Sequence, residues 1–176
     1  NHLVYPSSTL YNHPAIKEIS DIVKSERYGR TSNLSYHSGQ YLPDWHPWED
    51  IHDYYVSNRL TGGAREILPF ELTWMTKIFG NVLDIKGLFG KTIDLSADID
   101  DTYCCAIKFG NNVMCSLLID VSSRSATRSL IVNFERAQLR WDWSNAFFEI
   151  YNAEISSWEK RKINIKGPSA EGYNNN

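Results

Sequence analysis

The segment QYLPDWHPWED, at positions 40–50, places two tryptophans and a histidine among three carboxylates. Its two prolines break any helix and hold the segment in few conformations, which lowers the entropy lost when it orders on a ligand. A sugar offers apolar C–H faces and a polar rim, and aromatic rings beside carboxylates and histidine match both. The composition therefore favours one wall of a sugar-binding cleft.

The candidate substrate-binding residues of this segment are Tyr41, Asp44, Trp45, His46 and Trp48. A second interpretation is open for the tryptophans, because large aromatic side chains also fill the edge of a core. In that interpretation Glu49 and Asp50 cap the next helix, since acidic side chains are favourable at a helix N-terminus. The two interpretations weigh equally for the tryptophans, whereas the site interpretation is favoured for Asp44 and His46.

Further candidates follow the diglycine at positions 62–63. The Arg65 guanidinium can bind a carboxylate or phosphate in bidentate fashion, and Glu66 beside it is a further substrate-binding candidate. In the alternative, the two side chains form a surface ion pair that contributes little. Glu71 is the candidate catalytic residue, because partial burial beside a cleft would raise its pKa into a range useful for acid–base chemistry. Its alternative is solvent exposure.

Composition and charge argue against several other functions. The net charge is −3 and no basic run occurs, so we expect no nucleic-acid partner. No apolar run approaches the roughly 20 residues of a membrane span, so we expect no membrane insertion. The histidines at 37, 46 and 52 match no standard ligand spacing, and we expect no metal. Three cysteines without a C-x-x-C pair predict buried thiols and a cytoplasmic location.

Helices are predicted mainly in the first half of the chain. Pro14 suits a first helical turn, and Asn12 or His13 can cap it. Pro69 would damage a helix interior but fits a first turn, so the main helix is predicted to begin near it. In chain order the predictions are a helix at 14–29, a strand at Thr31–Gly39, a short helix at Glu49–Asn58 and the main helix at 69–80.

The second half alternates with a period of two residues, which predicts strands. Helices followed by short antiparallel strands indicate an α+β fold, with one open, mostly antiparallel sheet and helices on one face. Apolar residues such as Trp143, Phe147 and Ile150 predict that the other face is an oligomer interface. The candidate strands are Val82–Phe89, Thr102–Phe109, Val113–Val121, Ser129–Glu135, Ala137–Trp143, Phe147–Tyr151 and Ile155–Ile165.

Four motifs in this order resemble the Gfo/Idh/MocA family of NAD(P)-dependent oxidoreductases. They are HPAIKEISDIVKSERYGR, GGAREILPFELTWMTKIFG, DIDDTYCCAIKFGNNVMCSLLIDVSSR and RSLIVNFERAQLRWD. The segment YLPDWHPWED is similar to the version found in members that act on sugars and nucleotide sugars. The resemblance covers nearly the whole chain.

The resemblance implies that residues 1–176 form a single C-terminal domain, which binds substrate and associates through its sheet into a homodimer or tetramer. No G-x-G-x-x-G follows a strand in this sequence. NAD or NADP is therefore expected to bind mainly to an N-terminal Rossmann domain that this chain lacks. The helix that the family has after the polar tail is also missing.

The family's catalytic histidine has no counterpart in this chain. When Gly80 is aligned with the family's closing glycine, Glu66 falls on its first aspartate and Phe70 falls on the histidine that takes the substrate proton. Phenylalanine cannot exchange a proton, and the neighbouring Glu71 is the candidate substitute. The hypothesis is thus a domain of a sugar or nucleotide-sugar oxidoreductase. The alternative is a non-catalytic relative that binds a ligand or acts as a scaffold.

Overall fold

The computed structural model describes residues 9–163, and the polar tail and the end of the predicted strand Ile155–Ile165 lie outside this range. Two α-helices, α1 and α2, and eight strands, β1 to β8, follow one another with short 3-10 turns. The helices are α1 (Pro14–Ser25) and α2 (Ala64–Phe79). The strands are β1 (Thr31–Tyr41), β2 (Val82–Gly90), β3 (Thr102–Phe109), β4 (Met114–Asp120), β5 (Ser122–Phe134), β6 (Ala137–Asp142), β7 (Phe147–Asn152) and β8 (Ser157–Lys160).

All eight strands form one sheet in the order β2-β3-β4-β1-β5-β6-β7-β8. Among the strands of residues 9–163, only the pairing of β1 with β4 is parallel, so the predicted open and mostly antiparallel sheet is confirmed. Residues that alternate along each strand face opposite sides. Leu34, Leu117 and Val132 lie in the core together with residues of α1 and α2. We call the side of the sheet that carries them the helix face, and we call the opposite side the open face.

Helix α1 begins as its sequence predicts. Pro14 occupies the first turn, and the ring Nδ1 of His13 accepts a hydrogen bond from the Ala15 amide at 3.1 Å. The helix ends before Gly29, because Glu26 adopts the left-handed conformation (φ 49°) and its amide bonds to the carbonyl of Val23. Its buried residues Ala15, Ile16, Ile19 and Ile22 join the core.

The start predicted for α2 is wrong, because the helix begins at Ala64 and contains Pro69 in its interior. The Ala64 amide donates to the carbonyl of Asp100 at 3.0 Å, which satisfies the first free N–H of the helix. Gly63 precedes it with φ +70°, and an added Cβ there would meet the same carbonyl at 2.7 Å. Pro69 is tolerated because it lies on the exposed side of the helix.

The short helix predicted at Glu49–Asn58 is also wrong. Two separate 3-10 turns, Ile51–Asp53 and Tyr55–Ser57, occupy this region, and Tyr54 between them is extended (φ −138°, ψ 170°). The Asp50 side chain accepts a hydrogen bond from the His52 amide, so it caps the first turn. The rings of the neighbouring Tyr54 and Tyr55 meet edge to face, with their centroids 6.2 Å apart.

The strand predictions agree with the structure within a few residues, with two exceptions. Strand β5 begins at Ser122 rather than Ser129, and the predicted strand Ile155–Ile165 is reduced to β8, because residues 161–163 are not in a strand. Two expectations for the open face are corrected. Ile150 is fully buried on the helix face opposite Leu139, and Trp143 stacks on His13 of the helix layer at 4.4 Å. The expectation of buried thiols also fails for Cys104, because it is exposed on the open face.

Replacing Pro69 with alanine should stabilise the domain. The change restores one helical N–H and removes the steric conflict of proline with the preceding turn, which together favour the folded state by about 1–3 kcal/mol. Urea unfolding followed by circular dichroism measures the difference. Lys17→Ala, at an exposed position of α1, is the control and should change stability little. A Pro69→Ala variant of unchanged or lower stability would contradict the prediction.

Candidate functional site

The carboxylate of Glu71 is fully buried and accepts four hydrogen bonds. Its Oε2 accepts from the Tyr36 hydroxyl at 2.9 Å and from the Trp74 indole N–H at 2.8 Å. Its Oε1 accepts from the Ser38 hydroxyl at 2.9 Å and from Nε of Arg128 at 3.3 Å. We call these five residues the Glu71 network. It joins α2 to β1 and β5, and it supplies the hydrogen bonds that a carboxylate removed from water requires.

The donors of the Glu71 network keep their protons. Burial, and then the Glu71 carboxylate, raise the pKa of Tyr36 well above its usual value. Burial alone would lower the pKa of Arg128, but Tyr36 and Glu71 outweigh it and raise that pKa. Glu71 thus lies in the core instead of on a cleft surface, and its bonds already give it a structural task. The catalytic role of Glu71 stays a prediction.

An aromatic stack extends the Glu71 network toward α1. The Arg128 guanidinium lies 5.1 Å from the ring centroid of Trp143, and Trp143 stacks on His13. Burial, together with the nearby Arg128, lowers the pKa of His13. Its Nδ1 accepts the Ala15 amide, so the proton of the neutral ring is on Nε2. This atom is buried without a hydrogen-bond partner among the described residues.

A second group of side chains, which we call the loop cluster, connects the 40–50 segment to α2. Its members are His46, Trp48, Glu49, Tyr54, Tyr55 and Glu66. The His46 ring centroid lies 5.3 Å from that of Trp48 and 4.9 Å from that of Tyr54. His46 Nδ1 is 3.0 Å from Glu49 Oε2, and the Tyr55 hydroxyl donates to Glu66 Oε1 at 3.3 Å. The structure thus brings two carboxylates together with four rings.

Partial burial raises the pKa values of three groups in the loop cluster. Burial raises the pKa of Glu66, although the hydrogen bond from Tyr55 opposes the rise. Burial and the adjacent Glu66 carboxylate raise the pKa of Tyr55 to about 12. Burial, Glu49 and Glu66 also raise the pKa of Tyr54. Both tyrosines therefore keep their hydroxyl protons at neutral pH, and the cluster presents hydroxyl donors and carboxylate acceptors beside aromatic surfaces.

The other predicted site residues lie apart from this group. Tyr41 packs under the guanidinium of Arg124 at 3.8 Å, and Asp44 is exposed at the end of a 3-10 turn. Trp45 packs partly against the core, which fits the edge-filling interpretation, whereas Trp48 is 65% exposed and can contact a ligand. Arg65 is exposed on α2, and its charge opposes the rise in the pKa of Tyr103 that burial causes.

Six residues of these two groups were not predicted as site residues from the sequence: Tyr36, Ser38, Trp74, Arg128, Tyr54 and Tyr55. Ser38 carried a signal, because it stands two and four residues after the inward-facing Tyr36 and Leu34 of β1. A polar side chain at a core position of a strand requires a buried partner. The tyrosine pair carried none, because its region was assigned to a helix.

A third polar group lies on the open face at the ends of β1 and β4. His37 Nε2 is 2.7 Å from Asp120 Oδ2, and the same carboxylate accepts from Ser122 and Ser123. Burial would raise the pKa of Asp120, but these hydrogen bonds outweigh it and lower the pKa to about 2. An added Cβ on Gly39 would lie 2.8 Å from both His37 Nε2 and Asp120 Oδ2, so glycine makes room for the pair.

Within residues 9–163, no three or more histidine, cysteine or acidic side chains are grouped so that they could hold a metal ion. In the same range, no helix is long and apolar enough to cross a membrane.

Comparison with known proteins concerns the fold. No family model matches the sequence, and a search of curated proteins found no match. Solved oxidoreductase structures do match. A levoglucosan dehydrogenase complex with NADH and levoglucosan aligns with TM-score 0.71 and 13% identity over 90% of this chain and 47% of that chain. The NAD binding oxidoreductase from Klebsiella pneumoniae aligns with TM-score 0.74 and 10% identity over 96% and 49%.

An oxidoreductase from Agrobacterium radiobacter, in complex with NAD+, L-tartaric acid and magnesium, aligns with TM-score 0.73 and 9% identity over 90% of this chain and 45% of that chain. The chain has the fold of a domain of Gfo/Idh/MocA-type oxidoreductases. The fold that the sequence motifs predict by resemblance is therefore confirmed. The chain spans about half the length of these solved chains.

Removing either partner of the Glu71–Arg128 ion pair should destabilise the folded domain. Glu71→Leu leaves a buried guanidinium without its carboxylate, and Arg128→Met leaves a buried carboxylate, so each change should lower the free energy of unfolding by about 3–5 kcal/mol. The double variant should lose much less than the sum, because neither charge is then left alone. Urea unfolding of all four proteins measures the coupling.

The control for this cycle is Glu154→Leu, which removes an exposed partner of Arg136 and should change stability little. Additive effects of the two core changes would contradict the idea that Glu71 and Arg128 stabilise each other.

Proposed function

We propose that residues 1–176 form the C-terminal, substrate-binding and oligomerising domain of an NAD(P)-dependent oxidoreductase that acts on a sugar or nucleotide sugar. The loop cluster is the observation that carries this proposal. It joins exposed aromatic surface to the carboxylates of Glu49 and Glu66, and Glu66 belongs to the first turn of α2. The fold of the solved oxidoreductases supports the enzyme class.

The chemistry of the loop cluster suits a sugar. The exposed ring of Trp48 can stack on the C–H face of a pyranose, while His46, Tyr54 and the two carboxylates can bond to its hydroxyl groups. Asp44, Trp45 and Tyr41 are proposed to line the same wall farther along the loop, and Arg65 to approach it from α2. One similar structure, levoglucosan dehydrogenase, is known in complexes with levoglucosan and with L-sorbose, which supports a sugar-type substrate.

The residues of this chain do not fit a dinucleotide site. The glycine-rich turn between a strand and a helix that receives a pyrophosphate is absent from the sequence, and the described sheet is mostly antiparallel. We therefore propose that NAD or NADP is bound mainly by a separate N-terminal domain of the protein. No metal is part of the proposal.

A homodimer or tetramer is proposed to form through the open face. Exposed apolar side chains on this face, such as Leu88 and Met114, support an association that covers them. The free cysteines support a reducing, cytoplasmic location.

The alternative function is a non-catalytic relative that binds a ligand or serves as a scaffold. It is favoured by Phe70, which packs partly against the core where the family has its proton-accepting histidine, and by the closed environment of Glu71. The two functions differ in one measurable property. Oxidation of a sugar by the intact protein with NAD or NADP supports the enzyme, whereas sugar binding without turnover supports the alternative.

His46→Ala should weaken sugar binding by about tenfold or more, because the change removes a ring contact and a hydrogen-bonding group from the loop cluster. Asp44→Ala should weaken binding in the same direction. The measurement is calorimetric titration of the intact protein with levoglucosan, L-sorbose and a uridine diphosphate hexose.

The matched control is His52→Ala, because His52 is an exposed histidine of the same loop outside the cluster. It should bind as tightly as the unchanged protein. Equal affinities of the His46 and His52 variants, with both folded by circular dichroism, would return the loop to a purely structural role.

Ser116→Arg should dissociate the proposed open-face dimer. Ser116 is exposed at the centre of that face between Ala106 and Ser35, and a long charged side chain there would hold two faces apart. Sedimentation velocity should show a dissociation constant raised about tenfold or more, as expected when a buried charge has no partner. Ser125→Arg, at an exposed position of β5, is the control. A monomeric unchanged protein at micromolar concentration would reject the interface.

A further inference from the structure

The edge strand β2 is the least protected strand of the sheet. It lies at one end of the strand order and pairs on one side only, with β3, among the described residues. All nine of its residues are half-buried or exposed. Its exposed apolar side chains are Leu83 (64%), Ile85 (44%), Leu88 (82%) and Phe89 (64%).

The opposite edge is protected in a way that β2 is not. Strand β8 has only four residues and two of them are charged, whereas β2 has nine residues, of which two are charged and four are exposed apolar side chains. Short and charged edge strands discourage pairing with another chain, whereas a long and apolar edge offers free backbone donors and acceptors for it. Among the described residues, β2 is therefore the edge that is open to a further strand.

The open-face interface does not cover all of this surface. The register of β2 with β3 places Ile85 opposite Ile107 and Phe89 opposite Tyr103, which both belong to the helix face. Phe89 stacks on Tyr103 at 5.1 Å and remains mostly exposed. Leu88 points to the open face instead. A partner that covers both faces of β2 must therefore approach along its free edge.

The sequence of β2 is complementary to itself in one antiparallel register. When two copies are centred on Ile85, Asp84 of one copy faces Lys86 of the other, and this pairing occurs twice. The two Ile85 side chains then meet at the symmetry axis, on the helix face. Centring on Lys86 or on Asp84 instead would place like charges opposite each other, which is unfavourable. Asp84 and Lys86 already lie 3.8 Å apart within one chain, so both point to the same face.

We propose that β2 pairs with β2 of a second copy in the antiparallel register centred on Ile85. The contact is isologous and closed, as most homo-oligomer contacts are. It joins two eight-stranded sheets into one continuous sheet and covers apolar side chains on both faces. It uses a surface different from the open face, so a protein with both contacts is a tetramer, and either contact can fail without the other.

A charge-swap series tests the register. Lys86→Asp alone and Asp84→Lys alone each place like charges opposite each other twice, so each should raise the dissociation constant of the edge contact about tenfold or more. The double variant, Asp84→Lys with Lys86→Asp, restores opposite charges and should return the constant to within about threefold of the starting value. Sedimentation velocity of the intact protein in the Ser116→Arg background, which isolates the edge contact, gives these constants.

Lys91→Asp is the matched control, since it makes the same charge change at an exposed position just after β2. It should leave the dissociation constant unchanged. The proposal is overturned if the Ser116→Arg protein is a monomer at high micromolar concentration, or if the double variant associates no better than the single ones. Circular dichroism confirms that each variant is folded.

Cross-linking gives a second readout that does not depend on affinity. In a Cys104→Ser background, Ile85→Cys places two thiols at the symmetry axis, and a short bis-maleimide should join two copies. Leu60→Cys, at an exposed apolar position (75%) away from β2, is the control and should give little covalent dimer. Equal yields for the two cysteine positions would overturn the proposed register.

Discussion

The carboxylate of Glu71 is the constraint on which the arrangement of this domain depends. A buried carboxylate without partners costs several kcal/mol, and here four donors from α2, β1 and β5 converge on it. Helix α2 can therefore take only one position over the sheet. Because the helix is rigid, that position also fixes Glu66 in its first turn, and through Glu66 the place where the loop cluster forms.

The period of the sequence predicts the fold well where a strand has one buried face. Strands β3, β6 and β7 begin where their alternation begins, because one face of each meets the core. The failures share a different cause. The start of α2 was predicted at Pro69, but the helix begins at Ala64, because the carbonyl of Asp100, 36 residues farther along the chain, accepts the first amide of the helix. Ile150 was assigned to the wrong face because its strand is too short for alternation to settle the direction.

The candidate site also has a part that the sequence predicts and a part that it does not. Residue types alone indicated the chemistry of the 40–50 segment, and His46, Trp48 and Glu66 do meet in the loop cluster. The sequence could not indicate which partners complete a group when they come from distant strands. Arg128 reaches Glu71 across 57 positions of sequence, and no local pattern carries such a contact. The charge of Glu71 marks it as a candidate in the sequence, whereas its burial depends on the packing of α2 against β1 and β5.

The single parallel pairing in the sheet has a consequence for how the domain is made. Strand β1 is synthesised early, yet its neighbours β4 and β5 pair with it from positions as distant as Met114 and Phe134. Contacts so far apart in sequence slow folding, because a long loop must close before any contact is gained. On the ribosome, β1 must therefore wait unpaired until most of the chain has emerged. A chaperone that holds this segment during synthesis would act at the step where the nascent domain is most exposed to misassembly.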